Sequence, residues 1–241
     1  MSDASSSSKI WTRFESKKPD GSIIKLKIEN RPVEPENDVF EFLMEHFVTE
    51  EAVHKASGVS KNADAVKEYR ELMTLVFTAV PIHATACCID DDSDTRGKIL
   101  GLSVVQLMRN TDKFEDLIKD MVFKTEEMQR LLYAAKVLDG YTEDKSEYDI
   151  FYYGRGVIVH PDYRRLGIAV ELVRVRELIC KDTVISMTCA WMSARGSQKA
   201  AEINSWRTMS EVPREELEEK TGFTFDKNLP SFKFMFKDVL I

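Results

Sequence analysis

The stretch with the clearest chemical potential is Gly156-Val-Ile-Val-His-Pro-Asp-Tyr-Arg-Arg-Leu-Gly-Ile-Ala169, an apolar strand pattern that enters a basic, glycine-containing turn and then a helix. The first turn of a helix carries unpaired N–H groups and the positive end of the helix dipole, so it can hold an anion. Arg164-x-x-Gly167-x-Ala169 sets a cation, a residue without a side chain and a small residue at that place, where a phosphate could approach the backbone. A plainer reading stands beside it: a tight turn at Gly167 next to a solvated basic corner of Arg164 and Arg165. The pattern is not a Walker loop, since no Gly-Lys-[Ser/Thr] follows, and it is not a GxGxxG fingerprint. Two further groups carry chemistry. Glu50 and Glu51 are adjacent carboxylates; such pairs are commonly solvated surface, but a carboxylate beside a cationic substrate can attract it and take its proton. Ser193 and Ser197 lie four residues apart, a spacing that puts both hydroxyls on one face of a helical turn or makes one of them an N-cap.

The elements that must position these groups follow from periodicity. Residues 1–9 are polar and read as disordered. Ile10–Phe14 and Ser22–Glu29 read as strands paired around Pro19-Asp20-Gly21, with Ile24, Leu26 and Ile28 alternating with lysines as in a half-buried strand. After Pro35, the residues Val39, Phe40, Leu43, Met44 and Phe47 share one helical face. A second helix is expected from Ala63 to Ala79, ended by Pro81, with Val66, Tyr69, Met73 and Val76 at helical spacing. Strands over 84–89 and 99–108 flank a polar turn, Asp90 to Gly97, and residues 112–139 read as helical with a polar break from Asp139 to Glu147. A strand then leads into the glycine turn, and Ile168, Leu172, Val175 and Ile179 form the apolar face of the helix behind it. Thr183–Trp191 is another strand. Helix is expected from Gln198 to Lys220, interrupted near Pro213, followed by short strands near Phe223–Phe225 and Phe232–Phe236. This order describes one mixed α/β domain over 10–241, without internal repeat or linker, in which the strand–helix–strand unit from Ile150 to Trp191 is a parallel crossover.

The chain is long enough, at 241 residues, to bury a substantial core, and its 43% hydrophobic and 31% charged content is that of a globular protein. No apolar run reaches the ~20 residues of a bilayer span, and no signal-peptide core follows Ser5–Ser8, so a cytoplasmic protein without membrane partners is expected. The net charge of −7 argues against a general nucleic-acid binder. Cys87, Cys88, Cys180 and Cys189 form no CxxC pair and no zinc spacing with His46, His54, His83 and His160. Buried reduced thiols and no metal are the expectation.

Read together, Val157-Ile-Val159, Pro161 and Arg164-Arg165-Leu166-Gly167-Ile168-Ala169 resemble motif A of the GCN5-related N-acetyltransferases, whose pattern is Arg/Gln-x-x-Gly-x-Gly/Ala after a valine-rich strand. Phe47-Val-Thr-Glu-Glu-Ala-Val-His54 is similar to the Phe-Phe-x-Asp-Glu-Pro-Leu-Asn signature of insect arylalkylamine N-acetyltransferases and their relatives acting on other amines, with Ala52 in place of the usual proline. The resemblance runs from about residue 22 to 237. It implies a mostly antiparallel sheet, splayed at the cofactor strand and flanked by helices. It also implies that backbone amides from Arg165 to Ala169 hold the pyrophosphate of acetyl-coenzyme A, with Arg164 and Arg165 offsetting its charge, and that Val157, Ile158 and Val159 form the strand beside the pantetheine arm.

The same resemblance implies that Glu51 is the general base and that Ser193 or Ser197 serves the departing thiolate. Glu50, and His54 where relatives have asparagine, are candidates for the wall of the amine pocket, with a structural histidine the plainer reading of His54. Arg195 and Gly196 between the serines depart from the family's pattern. No tyrosine follows Tyr163, which excludes a C-terminal tyrosine acid. The implied activity is transfer of acetyl from acetyl-coenzyme A to a small primary amine, an arylalkylamine such as dopamine, serotonin, tyramine or octopamine, or a polyamine or agmatine-type amine, by a monomer that needs no metal. A coenzyme-binding protein without transfer activity and an acetyltransferase of protein N-termini or lysines are the alternatives.

Overall fold

A computed structural model describes residues 9–34, 37–91, 97–142 and 148–241. Pro35, most of the expected turn over 90–97 and most of the polar break over 139–147 lie outside them, as do residues 1–8 of the expected disordered terminus. Lys9 does not fit that expectation, since it pairs with Asp182 and lies over the Trp11 ring.

In chain order the elements are β1 (Ile10–Lys17), β2 (Ile23–Arg31), α1 (Asp38–Phe42), a π-helical turn (Leu43–Phe47), α2 (Val48–Glu50), α3 (Ala52–Ser57), α4 (Ala63–Ala79), β3 (Ile82–Ile89) and β4 (Gly101–Arg109). Then follow α5 (Phe114–Ile118), α6 (Glu126–Asp139), β5 (Ile150–Val159), α7 (Ile168–Thr183), β6 (Met187–Met192), α8 (Arg195–Ile203), β7 (Arg207–Pro213), α9 (Arg214–Thr221) and β8 (Ser231–Asp238). The strands form one eight-stranded sheet in the order β1-β2-β3-β4-β5-β6-β8-β7. Every neighbouring pair is antiparallel except β5–β6, the crossover expected from the sequence.

Apolar periodicity explains the layers. Ile168, Leu172, Val175 and Ile179 are buried on α7 and pack with Leu26, Ile28 and Tyr152 on one face of the sheet. The other face is covered by α1, α4 and α6, through Phe40, Leu72, Val76, Leu131 and Leu138 against Leu102 and Val104. The half-buried alternation expected of β2 holds only at its start, where Ile23 and Lys25 are exposed and Ile24 and Leu26 buried. Farther on both faces are covered: Lys27, Glu29 and Arg31 are buried like Ile24 and Ile28, and Glu29 offsets both cations at 3.5 and 3.0 Å.

Two expectations near the C-terminus are corrected. The segment expected to be helical from Gln198 to Lys220 contains β7, an edge strand whose only fully buried residue is Val212. Its hydrogen bonds come from the distant β8, and a mostly exposed edge strand carries little of the alternation that marks a strand. Phe223–Phe225 is not a strand: both rings are buried, with Phe225 stacked edge-on against Phe232. Apolar side chains here plug the core from a loop.

Candidate active site

The centre of the site is an opening in the sheet. Strand β5 pairs with β4 from Ile150 to Val159 but with β6 only at Tyr152 and Tyr153. From Gly154 to Val159 its other edge therefore makes no ladder with β6, and its backbone groups need partners. A bulge lies at the same place, since Gly154 and Gly156 face the adjacent Val105 and Val104 and leave Arg155 as the extra residue. Close approach leaves no room for a side chain at Gly154 and little at Gly156. A Cβ on Gly154 would come within 2.3 Å of Arg176 Nη1, and one on Gly156 within 3.1 Å of the Phe47 ring. Arg176, fully buried, donates to the Gly156 carbonyl at 2.9 Å and to Ser103 Oγ at 3.0 Å, and so braces the strand from behind.

The basic turn closes one end of the opening. Gly167 is the N-cap of α7 at φ 75°, with no side chain capping the helix. Arg165 shares the left-handed conformation at φ 65°, so the chain folds back and exposes the first N–H groups of α7. Leu166 and Ile168 are buried, while Ala169 is half-buried and Arg164 and Arg165 are exposed; of the turn from Arg164 to Ala169, all but Leu166 line the opening. A free helix N-terminus, two cations and an open strand edge fit a pyrophosphate with an extended arm.

The opposite wall comes from α2, α3 and α4. Glu51 is the N-cap of α3, and its Oε2 accepts from the N–H of Val53 and His54, each at 3.0 Å. Ala52 occupies the first helical position, where proline is also well accommodated, so the local backbone suits either residue. The same Oε2 lies 2.6 Å from His54 Nδ1, and His54 Nε2 lies 3.0 Å from the Tyr69 hydroxyl. Burial pushes the Glu51 carboxyl up, but hydrogen bonds from the His54 ring, its charge, the Ser193 hydroxyl and the His54 amide together hold it below the ordinary carboxylate range. Burial, reinforced by the Glu51 charge, keeps the Tyr69 phenol protonated well above its ordinary value.

These walls enclose one cavity of about 800 Å³, lined by Glu50, Glu51, His54, Ser193, Ser197 and every residue from Gly154 to Val159. The sequence-derived candidates thus meet, with particulars that differ. Ser193 lies beyond the end of β6 and reaches Glu51, whereas Ser197 is inside α8 and donates to the Ala194 carbonyl at 2.8 Å. The two hydroxyls do not share a helical face, and neither is an N-cap: Ala194 holds that position without a side-chain bond. Glu50 does not stand free toward an amine, because it is ion-paired with Arg164 across the cavity mouth. Tyr69, Arg155 and Asp139 also line the cavity and escaped the sequence reading. Tyr69 sits within a helical stripe that periodicity assigns to core. Arg155, a charge flanked by glycines inside an apolar strand, is the one whose setting signals a bulge. No group of histidine, cysteine or acidic residues suited to a metal occurs among the described residues.

No protein-family model and no curated protein matches the sequence. Solved structures do. An insect putative arylalkylamine N-acetyltransferase 7 from the mosquito Aedes aegypti superposes with TM-score 0.77 at 19% identity, over 99% of this chain and 98% of that one. The fold is that of the GCN5-related N-acetyltransferases. A Drosophila melanogaster polyamine N-acetyltransferase that forms N-acetylagmatine shares this fold with TM-score 0.66 at 10% identity, over 88% of this chain and all of that one (100%). NAA60 of Arabidopsis thaliana, solved in complex with acetyl-CoA, matches at TM-score 0.50 and 12% identity, over 88% of this chain and 98% of that one. In this GCN5-related fold the splay between β5 and β6 and the turn before α7 lie side by side, as motif A leads one to expect.

Proposed function

We propose that the protein transfers an acetyl group from acetyl-coenzyme A to a small primary amine by direct attack in a ternary complex. One observation carries the reading: a single cavity joins the anion-ready start of α7 and the open edge of β5 to a buried, hydrogen-bonded carboxylate, Glu51. The motif A residues and the fold of known amine N-acetyltransferases support it.

Backbone N–H groups from Arg165 to Ala169, with the charges of Arg164 and Arg165, would hold the pyrophosphate of the coenzyme. Val157, Ile158 and Val159 would pair along its arm. The coenzyme supplies the activated acetyl thioester; the chain supplies geometry and proton handling. An amine arrives mainly as ammonium and attacks only after losing a proton. Glu51, kept ionised by His54 and Ser193, attracts the ammonium and accepts that proton. His54 Nε2 is the natural acceptor for the Tyr69 hydroxyl, which leaves the Nδ1 proton directed at Glu51. Ser193 lines the same cavity and its hydroxyl helps hold Glu51 ionised, so it would pass a proton from the carboxylate toward the departing sulfur. Ser197 has its proton committed to Ala194 and serves, if at all, by orienting the turn. Amides on the free edge of β5 are available to polarise the thioester carbonyl.

Thiol release from acetyl-coenzyme A, measured against aryl, indole, polyamine and guanidino amines, tests the proposal. Release that depends on an amine, and N-acetylated product by mass spectrometry, is the expected result. Silence across the panel with tight coenzyme binding would make the protein a coenzyme binder, and release with peptides alone would make it a protein acetyltransferase.

A further inference from the structure

The proposed chemistry leaves Arg155 unused. The β5 bulge turns its side chain into the cavity, where it is held rather than free: Nε donates to Gln106 Oε1 at 2.5 Å and Nη2 to Met108 Sδ at 3.7 Å. The guanidinium also lies over the rings of Tyr153 and Phe114, at 4.9 and 5.4 Å. Those partners fix its position without neutralising it. No carboxylate among the described residues forms an ion pair with Arg155. Asp139, on the same cavity wall, is close enough to favour the charged form. Burial acts the other way and lowers the pKa, yet an arginine stays charged at neutral pH. A cation withdrawn from water without an ionic partner is unfavourable, and filling the cavity with an uncharged ligand would withdraw it further.

The rest of the wall sharpens the point. Leu72, Met73, Val76, Leu131 and Leu132 make this side of the cavity apolar, and Glu51 supplies the anionic counterpart. The Tyr69 hydroxyl is within electrostatic reach of both Glu51 and Arg155, which puts the two opposite charges in one chamber. We infer that Arg155 recognises an anionic group on the acceptor, so that the preferred substrates are amines bearing a carboxylate on an apolar body rather than plain arylalkylamines. The ammonium would face Glu51, the apolar body the leucine-rich wall, and the carboxylate the fork of Arg155. This inference rests on the acetyl-transfer reading and refines its acceptor.

Matched acceptors test it: 2-phenylethylamine against phenylalanine and 4-(2-aminoethyl)benzoate, which carry the carboxylate near to and far from the amine. The wild type is expected to use at least one of the two acids with kcat/KM about tenfold or more above 2-phenylethylamine, as a charged hydrogen bond warrants. Arg155→Met is expected to shrink the acid-to-neutral ratio by about 10- to 100-fold, and Arg155→Lys to restore part of it. The lysine variant keeps the test available if the methionine variant does not fold. A wild-type preference for 2-phenylethylamine, or a ratio that Arg155→Met leaves unchanged, overturns the inference while acetyl transfer stands. No thiol release with any of the three, from a folded protein that binds the coenzyme and is equally silent with other amines, overturns both.

Discussion

Oε2 of Glu51 accepts from the ring Nδ1 and from the backbone N–H of His54, at 2.6 and 3.0 Å, so one carboxylate oxygen both caps α3 and takes the bond from the imidazole that helps set its charge. Burial alone would raise this carboxyl above its ordinary range; His54 and Ser193 reverse the sign. A group whose folded pKa is depressed contributes stability above the ordinary carboxylate range and loses it as pH falls through the depressed value. Activity that needs ionised Glu51 should follow the same limb. His54→Ala is therefore expected to move the acid limb of kcat/KM to higher pH, because burial is then less opposed. Glu51→Gln should remove the limb and lower kcat/KM by about 10²- to 10⁴-fold. An acid limb that His54→Ala leaves in place would sink this account.

The serines should separate. The Ser193 hydroxyl helps hold the Glu51 carboxyl down, whereas Ser197 spends its proton on Ala194. Ser193→Ala is expected to lower kcat about tenfold or more, within the range for a positioned proton donor, and Ser197→Ala to have a smaller effect. Steady-state kinetics with a saturating acceptor decide it; the reverse order would assign the thiolate to Ser197.

The ion pair between Glu50 and Arg164 links the end of α2 to the turn before α7, the proposed phosphate site. Its partners are 32% and 49% exposed, so its contribution to stability should be under about 1 kcal/mol. Its effect on ligand binding is larger, since a phosphate must compete with Glu50 for the arginine. Glu50→Gln should tighten coenzyme A binding severalfold and Arg164→Ala should weaken it, as isothermal titration would read. Equal affinities for Glu50→Gln and wild type would show that the pair does not compete.

At Gly167 a methyl group would meet no atom within 4 Å, so the cost of Gly167→Ala is conformational: φ 75° is strained for any residue with a Cβ. About 1 kcal/mol of destabilisation is expected, which corresponds to a fall in Tm of about 2–4 °C for a chain of this size. A thermal melt unchanged by the substitution would contradict the left-handed N-cap.

All four cysteines are buried. Burial pushes the Cys180 thiol up to about 12 and raises Cys87 and Cys88 as well. Thiolate is the reactive form, so the native protein should be nearly silent to Ellman's reagent at pH 8 and react fully once unfolded in guanidinium. Rapid labelling of a native thiol would show that the core around it opens.

What the sequence determined by itself is local. The apolar stripe on α7, the valine-rich run before Pro161 and the Arg-Arg-Leu-Gly-Ile-Ala turn are consecutive residues whose period and conformational needs can be read directly. They were enough to expect a parallel crossover and a glycine turn that opens a helix, and the fold has both: β5 and β6 are parallel, and Gly167 starts α7 with no side chain capping it. Strand β7 was out of reach because its hydrogen bonds come from β8 and only Val212 points inward. The same limit hid the chemistry of Tyr69, whose helical spacing marks it as core until α3 brings His54 against it.

Only the tertiary structure decided how the charges pair. Glu50 could have faced a substrate, but the splay of β5 from β6 brings Arg164 to it instead. Ser193 and Ser197 look equivalent by spacing, yet one follows a strand and the other lies inside a helix, where its proton goes to the Ala194 carbonyl. Arg155 is set apart by a bulge that exists only through the register of β4 against β5. Hydrogen bonds and ion pairs depend on distance and direction between elements far apart in the chain, and closure of the sheet supplies both.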